Sequence, residues 1–140
     1  MKNWILYSLI SMFFAGLTSV IAKMGLRNVS SDTGLAVRTI IVFVIVWLNV
    51  FLFQSVKDFR NLTKMDIVFL AISGVTTSLS WIFYYKAIKI GNVSQVALID
   101  KGSILITLLL SFIVLNEQFS WKTAIGGSLI IAGLLILSLK

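Results

Sequence analysis

The chain of 140 residues contains no cysteine, no histidine and no proline. Without cysteine it can form neither a disulfide nor a thiolate metal site. Without histidine it lacks the commonest zinc ligand and the commonest general base, and without proline no helix carries a proline kink. No nucleophile–base pair or metal-ligand set can be assembled from the remaining residue types. We therefore predict a protein that is not an enzyme and that holds no metal or cofactor.

Charged residues are also scarce, at 12% of the chain against 59% hydrophobic residues. A soluble domain carries roughly 25% charged residues. The mean hydropathy is +1.03, and the deficit of charge predicts an integral membrane protein with almost no soluble part. The net charge of +7 could indicate a nucleic-acid partner, but the basic residues stand at the ends of apolar segments. Membrane topology places them there, so we expect no nucleic acid.

Five apolar segments are long enough to cross a bilayer, which takes about 20 residues each. The short connectors between them cannot fold alone, so the sequence predicts one all-α membrane domain over residues 1–140, a bundle of five transmembrane helices. A cleaved signal peptide at the start is disfavoured, because the first apolar run is long and no clear cleavage site follows it. The predicted spans are Trp4–Ala22, Leu35–Phe53, Ile67–Tyr85, Val96–Leu115 and Trp121–Leu139.

The fourth segment carries two ionisable residues, Asp100 and Lys101, inside its first half. Burying such residues in hydrocarbon costs roughly 3 kcal/mol each, so they need a partner, water or a substrate. On a continuous helix, Asp100 shares one face with Ser103 and Thr107. Lys101 lies about 100° away on the helix, from where it snorkels more easily to the interface. The sequence predicts a polar track through this segment.

A second buried charge, Arg38, lies one turn inside the second segment, at a depth within about one turn of Asp100. Arg38 is read either as an interfacial cation that snorkels or as an inward-facing one. Trp81 and Tyr84 near the end of the third segment form either an interfacial belt or the wall of a pocket. A cation, an anion and aromatic rings together suit a small amphiphilic or zwitterionic guest; the alternative is a structural ion pair between two helices. The candidate substrate-binding residues are Arg38, Trp81, Tyr84, Asp100, Lys101, Ser103 and Thr107.

The basic residues show almost no bias between the two sides of the membrane. With five crossings, the side of the N-terminus holds Lys2, Lys57, Arg60, Lys64 and Lys122, and the other side holds Lys23, Arg27, Lys86, Lys89 and Lys140. A chain without this bias can insert in both directions. Two oppositely inserted copies could then pair around an in-plane two-fold axis, as inverted repeats do in many transporters. The chain itself contains no internal repeat.

Several motifs resemble the EamA-type domains of the drug/metabolite transporter superfamily, over nearly the whole chain. LNEQFSWKTAIGGSLIIAGLLIL resembles their closing segment, and SWIFYYKAIKIGNVSQVALIDKGS resembles their junction between helices three and four. AVRT and IDK are similar to the short, single-domain members. The chain departs from the family where Leu98 and Ile99 replace a frequent proline, which puts a kinked entry to the fourth helix in doubt.

The resemblance implies a secondary transporter of a prokaryotic inner membrane, usually an exporter of small metabolites. Most relatives have ten helices in two inverted halves, so this chain resembles one half and is expected to act as a homodimer, possibly antiparallel, in contact with membrane lipid. Two alternatives remain open: a subunit of a lipid-linked sugar flippase, or a scaffold subunit that transports nothing. A cation exporter of the small multidrug resistance type is disfavoured, because the first segment contains no carboxylate.

Overall fold

The computed structural model describes residues 3–53, 59, 61–118 and 120–138. This part of the chain contains helices and no strand. The helices are α1 (Asn3–Gly25), α2 (Ser31–Phe53), α3 (Lys64–Ile90), α4 (Val93–Asp100), α5 (Ser103–Val114) and α6 (Trp121–Ser138). The prediction of an all-α chain is confirmed for the described residues.

Four stretches are long and apolar enough to cross a membrane: the three helices α1, α2 and α3, and the combined stretch Val93–Val114. Among the described residues, Trp121–Ile136 of α6 forms a shorter apolar helix. At most 6% of any of the four spans is buried within the chain. Apolar surface of this extent needs lipid or another protein to cover it, as expected of a membrane protein.

Helices α2 and α3 begin before the apolar segments from which they were predicted, because hydroxyl residues cap them in the connectors. Ser30 caps α2, since its Oγ accepts a hydrogen bond of 3.1 Å from the backbone N–H of Thr33. Thr63 and Asp66 form a reciprocal cap at the start of α3: Thr63 N–H donates to Asp66 Oδ2 at 3.0 Å and Asp66 N–H donates to Thr63 Oγ1 at 3.2 Å. This arrangement is a capping box, which satisfies two helix-end donors at once.

The fourth predicted span differs from expectation, because the structure divides it into α4 and α5. Gly102 N–H bonds to the carbonyl of Ile99 at 2.9 Å, and Ile104 and Leu105 also bond three residues back, to Lys101 and Gly102. Such i→i−3 bonds define a tight 3₁₀ turn. The interruption arises without proline: Gly102 has no Cβ, and a Cβ there would lie 2.9 Å from the Ile99 oxygen.

The chain forms two compact units, Met1–Ile90 and Gly91–Lys140. In the first unit α2 and α1 both pack on α3, and in the second unit α4 and α5 both pack on α6. The buried core of the first unit is small and lies at the ends of α1 and α3, where Ile88 is 0%, Leu26 2% and Tyr85 4% exposed. Tyr85 of this core also contacts Arg38.

Candidate functional site

Arg38 lies against two aromatic rings of α3 in the first unit. Its guanidinium carbon is 4.3 Å from the centroid of the Trp81 ring and 5.6 Å from that of Tyr85. Trp81 and Tyr85 are four residues apart, so the helix presents both rings on one face. The attraction between a cation and the face of a ring reaches about 2 kcal/mol when the pair is desolvated. The contact therefore holds Arg38 at this place in an otherwise apolar span.

An open groove of about 510 Å³ adjoins this cluster, and we call it the arginine groove. Its walls are apolar and small side chains of α1 and α2, together with the loop residue Val29 and Tyr85 of α3. The polar side chains in its lining are Thr18, Thr33, Arg38 and Tyr85, and Arg38 carries the charge. Thr18 Oγ1 donates to the carbonyl of Phe14 at 2.8 Å, within its own helix. The groove is thus an apolar surface with one cation.

At one edge of the groove, α2 comes close to the residue that follows α1. Gly34 of α2 lies against Leu26, the residue that follows α1, and a Cβ at position 34 would overlap the Leu26 side chain. Leu26 is 2% exposed, so it cannot move aside without disturbing its neighbours. The absence of a side chain at Gly34 therefore allows α2 to approach Leu26 at the groove.

Tyr84 forms a hydrogen bond within the first unit, whereas the ring of Tyr85 contacts Arg38. The Tyr84 hydroxyl lies 2.6 Å from Ser19 Oγ of α1, a hydrogen-bond distance in which either group can donate. Ser19 is 8% exposed and also donates to the carbonyl of Ala15 at 3.3 Å. Tyr84 thus ties α3 to α1, and its predicted role in substrate binding stays a prediction.

The structure therefore brings together two of the seven predicted site residues, Arg38 and Trp81. It also adds Tyr85, Thr18 and Gly34, which the sequence analysis did not assign to the site. The four-residue spacing of Trp81 and Tyr85 could have identified Tyr85. No comparable signal marked Thr18 or Gly34, because their place follows from how α1 and α2 pack.

The other four predicted residues lie in the second unit, around the interruption between α4 and α5. Asp100, Lys101, Ser103 and Thr107 are all exposed, and Thr107 Oγ1 donates to the carbonyl of Ser103 at 3.1 Å. A 3₁₀ turn advances three residues by one full turn, so the tightening keeps Asp100 and Ser103 on one side of the segment. Arg38 and Asp100 belong to different units, and their pairing stays a prediction.

A second groove of about 510 Å³ lies within the second unit, between α5 and α6. Glu117 lines it together with Gln118 and several hydroxyl residues. Glu117 follows Asn116, whose φ of 52° lies in the left-handed region, a conformation that asparagine adopts more readily than most residues. The backbone N–H of Glu117 donates to the carbonyl of Ser111 at 3.2 Å. This conformation ends α5 and fixes the turn into α6.

The four long apolar stretches define an integral membrane protein, and a charged residue held inside a span beside a groove is a feature expected of a transporter. The chain belongs to the EamA-like transporter family, whose model matches residues 2–139. It is 31% identical over 137 residues to a protein of Sinorhizobium sp. called "Uncharacterized transporter in cobO 3'region". That alignment covers 98% of this chain and 97% of the relative. No solved structure is significantly similar to the chain.

The family match confirms the resemblance that the closing segment and the junction of helices three and four indicated. The protein is an integral membrane protein, and the family and the relative both point to a transporter rather than an enzyme.

Proposed function

We propose that the protein exports a small amphiphilic or zwitterionic metabolite across the inner membrane of a prokaryotic cell by alternating access. The observation that carries the proposal is the position of Arg38, which is half-buried against Trp81 and Tyr85 beside an open groove. An ionisable residue within a span is costly and marks a substrate or ion pathway by default. In this proposal Arg38 attracts a carboxylate or phosphate, and Trp81 contacts the apolar part of the guest.

In this proposal Asp100 of the second unit is a further substrate-binding residue. It binds an amine, a coupling proton or the Arg38 guanidinium in the unloaded state. Ser103 and Thr107 continue the polar path along α5, and Lys101 adds a cation near its entrance. The carboxylate of Asp100 suits the ammonium end of a zwitterion, and the guanidinium fork of Arg38 suits its carboxylate end.

We further propose that the active form is a homodimer, with the two copies inserted in opposite directions. The relative from Sinorhizobium sp. is similar in length to this chain, since the alignment covers 97% of it. Ten-helix members assemble two inverted halves, and a single chain of this length supplies one half. The balanced basic residues on the two sides favour insertion in both directions.

A lipid-linked sugar flippase subunit is the second candidate, and the open form of the arginine groove favours it. A lipid-linked substrate needs a lateral opening, and its phosphate would bind Arg38 and Lys101. In the third candidate, a scaffold subunit, Arg38 and Asp100 bond only to each other in a closed interior.

Uptake into proteoliposomes tests the proposed transport. Three radiolabelled probes share an aromatic body and differ in charge: 4-phenylbutyrate, 4-phenylbutylamine and phenylalanine. We expect uptake of at least one probe above that of protein-free liposomes, and loss of this uptake in Arg38→Ala and in Asp100→Asn. Crosslinking in the same vesicles checks that both variants still dimerise. Absence of uptake for all three probes, or full uptake in both variants, contradicts the proposal.

Side-specific labelling tests the antiparallel arrangement. The described residues contain no cysteine, and neither does the rest of the sequence, so single cysteines at Asn3 and at Ser138 report the two ends of the chain without background. Opposite insertion predicts that an impermeant maleimide labels about half of each variant from either side. Complete labelling of each end from one side alone supports a parallel dimer instead.

A further inference from the structure

We infer that the arginine groove selects an apolar anion, a ligand with one carboxylate or phosphate and no balancing positive charge. This inference rests on the proposed function and narrows its substrate class. It depends on the first unit alone.

The first step concerns the hydrogen-bonding capacity of Arg38. Within the described ranges, the interactions of its side chain are with the rings of Trp81 and Tyr85. Ring faces attract the positive charge of a guanidinium but are poor acceptors for its five N–H donors. Arg38 therefore has donors to offer a ligand, and a carboxylate or phosphate is the acceptor whose geometry fits them.

The second step concerns the charge of the groove lining. Among the described residues that line the groove, Arg38 is the charged one and none is an aspartate or glutamate. A cationic ligand would meet repulsion from Arg38 without any compensating acid in the groove. A zwitterion would have to leave its ammonium group against apolar walls, which is costly. An anion without a positive charge neutralises Arg38 within the span and leaves no second charge against the apolar walls.

The third step concerns the body of the ligand. Apart from Arg38, Tyr85 and two threonines, the groove is lined by aliphatic side chains and glycines. Burial of apolar surface against such walls is favourable in proportion to its area. The volume of about 510 Å³ lies within the range of small-molecule sites. The occupant is therefore an amphiphile with an anionic head and an apolar body.

Equilibrium binding in nanodiscs of zwitterionic lipid tests this selectivity without requiring transport. The probes are 4-phenylbutyrate, its neutral amide 4-phenylbutyramide, 4-phenylbutylamine and phenylalanine, measured by competition with radiolabelled 4-phenylbutyrate. Because hydrogen bonds to charged groups are stronger than neutral ones, we expect 4-phenylbutyrate to bind at least about tenfold more tightly than each of the other three. Equal affinity for the amine, the amide or the amino acid, or absence of binding, overturns the inference.

Two substitutions locate the binding. Arg38→Gln should lose the preference for 4-phenylbutyrate over its amide. Lys86→Gln is the matched control, because Lys86 is an exposed cation of α3 that lines a different groove, between α2 and α3. It should keep the wild-type preference. Loss of the preference in Lys86→Gln, or its retention in Arg38→Gln, overturns the assignment to this groove.

Anionic lipid offers the same chemistry from another source. Nanodiscs with increasing phosphatidylglycerol distinguish the two: displacement of 4-phenylbutyrate supports a lipid head group as the occupant, and unchanged binding supports a soluble anion.

The failure of this inference is separable from that of the proposed function. Transport of phenylalanine without anion-selective binding refutes the inference alone, and anion-selective binding without uptake of any probe refutes the transport proposal alone.

Discussion

Lys23 and Lys89 each donate hydrogen bonds to backbone carbonyls at, or just beyond, the end of the helix that carries the other. Lys23 Nζ donates to the carbonyls of Ile88 and Lys89, at 2.7 and 3.2 Å, at the end of α3. Lys89 Nζ donates to the carbonyl of Leu26 and, at 3.2 Å, to that of Arg27, just beyond α1. The last carbonyls of a helix lack partners and carry partial negative charge. The two lysines therefore satisfy these groups reciprocally and join the ends of α1 and α3.

This reciprocal contact predicts that Lys23→Met and Lys89→Met each lower the free energy of unfolding by about 1–2 kcal/mol. Methionine keeps an apolar stem and removes the donors. The double variant should cost less than the sum of the two, because either substitution already weakens the same junction. Denaturation by sodium dodecyl sulfate in mixed micelles measures the effect. Lys86→Met, three residues before Lys89 and exposed, is the control; a loss of stability as large in the control would contradict the prediction.

Gly34→Ala should lower the free energy of unfolding by about 1 kcal/mol, since overpacking a tight contact is destabilising. The added Cβ would overlap the side chain of buried Leu26. Gly16→Ala is the matched control, because a Cβ there meets nothing within 4 Å and alanine favours the helix. In a Leu26→Ala background the penalty of Gly34→Ala should disappear. Persistence of the penalty in that background would assign it to another contact.

Tyr84→Phe should lower the free energy of unfolding by about 0.6 kcal/mol, the average for a hydrogen bond between membrane helices. The substitution removes the bond of 2.6 Å to Ser19 and keeps the ring. Because the hydroxyl is engaged with Ser19, we expect ligand affinity in the arginine groove to remain within about twofold of wild type. The same nanodisc competition measures it. A loss of affinity of tenfold or more would give the Tyr84 hydroxyl a direct role in binding.

Gly127→Val should destabilise the second unit by about 1–3 kcal/mol more than Gly126→Val. Gly127 is buried, and even a Cβ there would lie 3.1 Å from Leu108 Cδ1 of α5, whereas a Cβ at Gly126 meets nothing within 4 Å. Both variants introduce the same β-branched residue into α6, so its cost to helix formation cancels between them. The comparison uses the same mixed-micelle denaturation. Equal stabilities would show that α5 and α6 do not depend on this contact.

The sequence predicted the helical class and the first four apolar spans because hydropathy over about 20 residues is a strong signal. The fifth predicted span corresponds, among the described residues, to a shorter apolar helix. The helix ends were less predictable: α2 and α3 begin at caps provided by Ser30 and Thr63 in the connectors, which a count of apolar residues does not include. The division of the fourth span was missed for a related reason. In the absence of proline, the turn at Gly102 depends on local hydrogen bonds that hydropathy does not register.

The candidate site was predictable in part. An arginine one turn inside a span and a tryptophan near the end of another pointed to a common depth, and the structure places Arg38 on Trp81. The engagement of Tyr84 with Ser19 was not predictable, since it depends on the rotation of α1 against α3. The pairing of Arg38 with Asp100 stays a prediction.

The tight turn at Gly102 interrupts the helix of the fourth span. A 3₁₀ stretch inside a helix often marks a hinge, and here it separates the carboxylate of Asp100 from the hydroxyls of Ser103 and Thr107. A change of the angle between α4 and α5 at this turn alters the spacing between the carboxylate and the hydroxyls, while the regular hydrogen bonds within α4 and α5 stay intact. Bending of the fourth span would thus need little more than a change of conformation at one glycine.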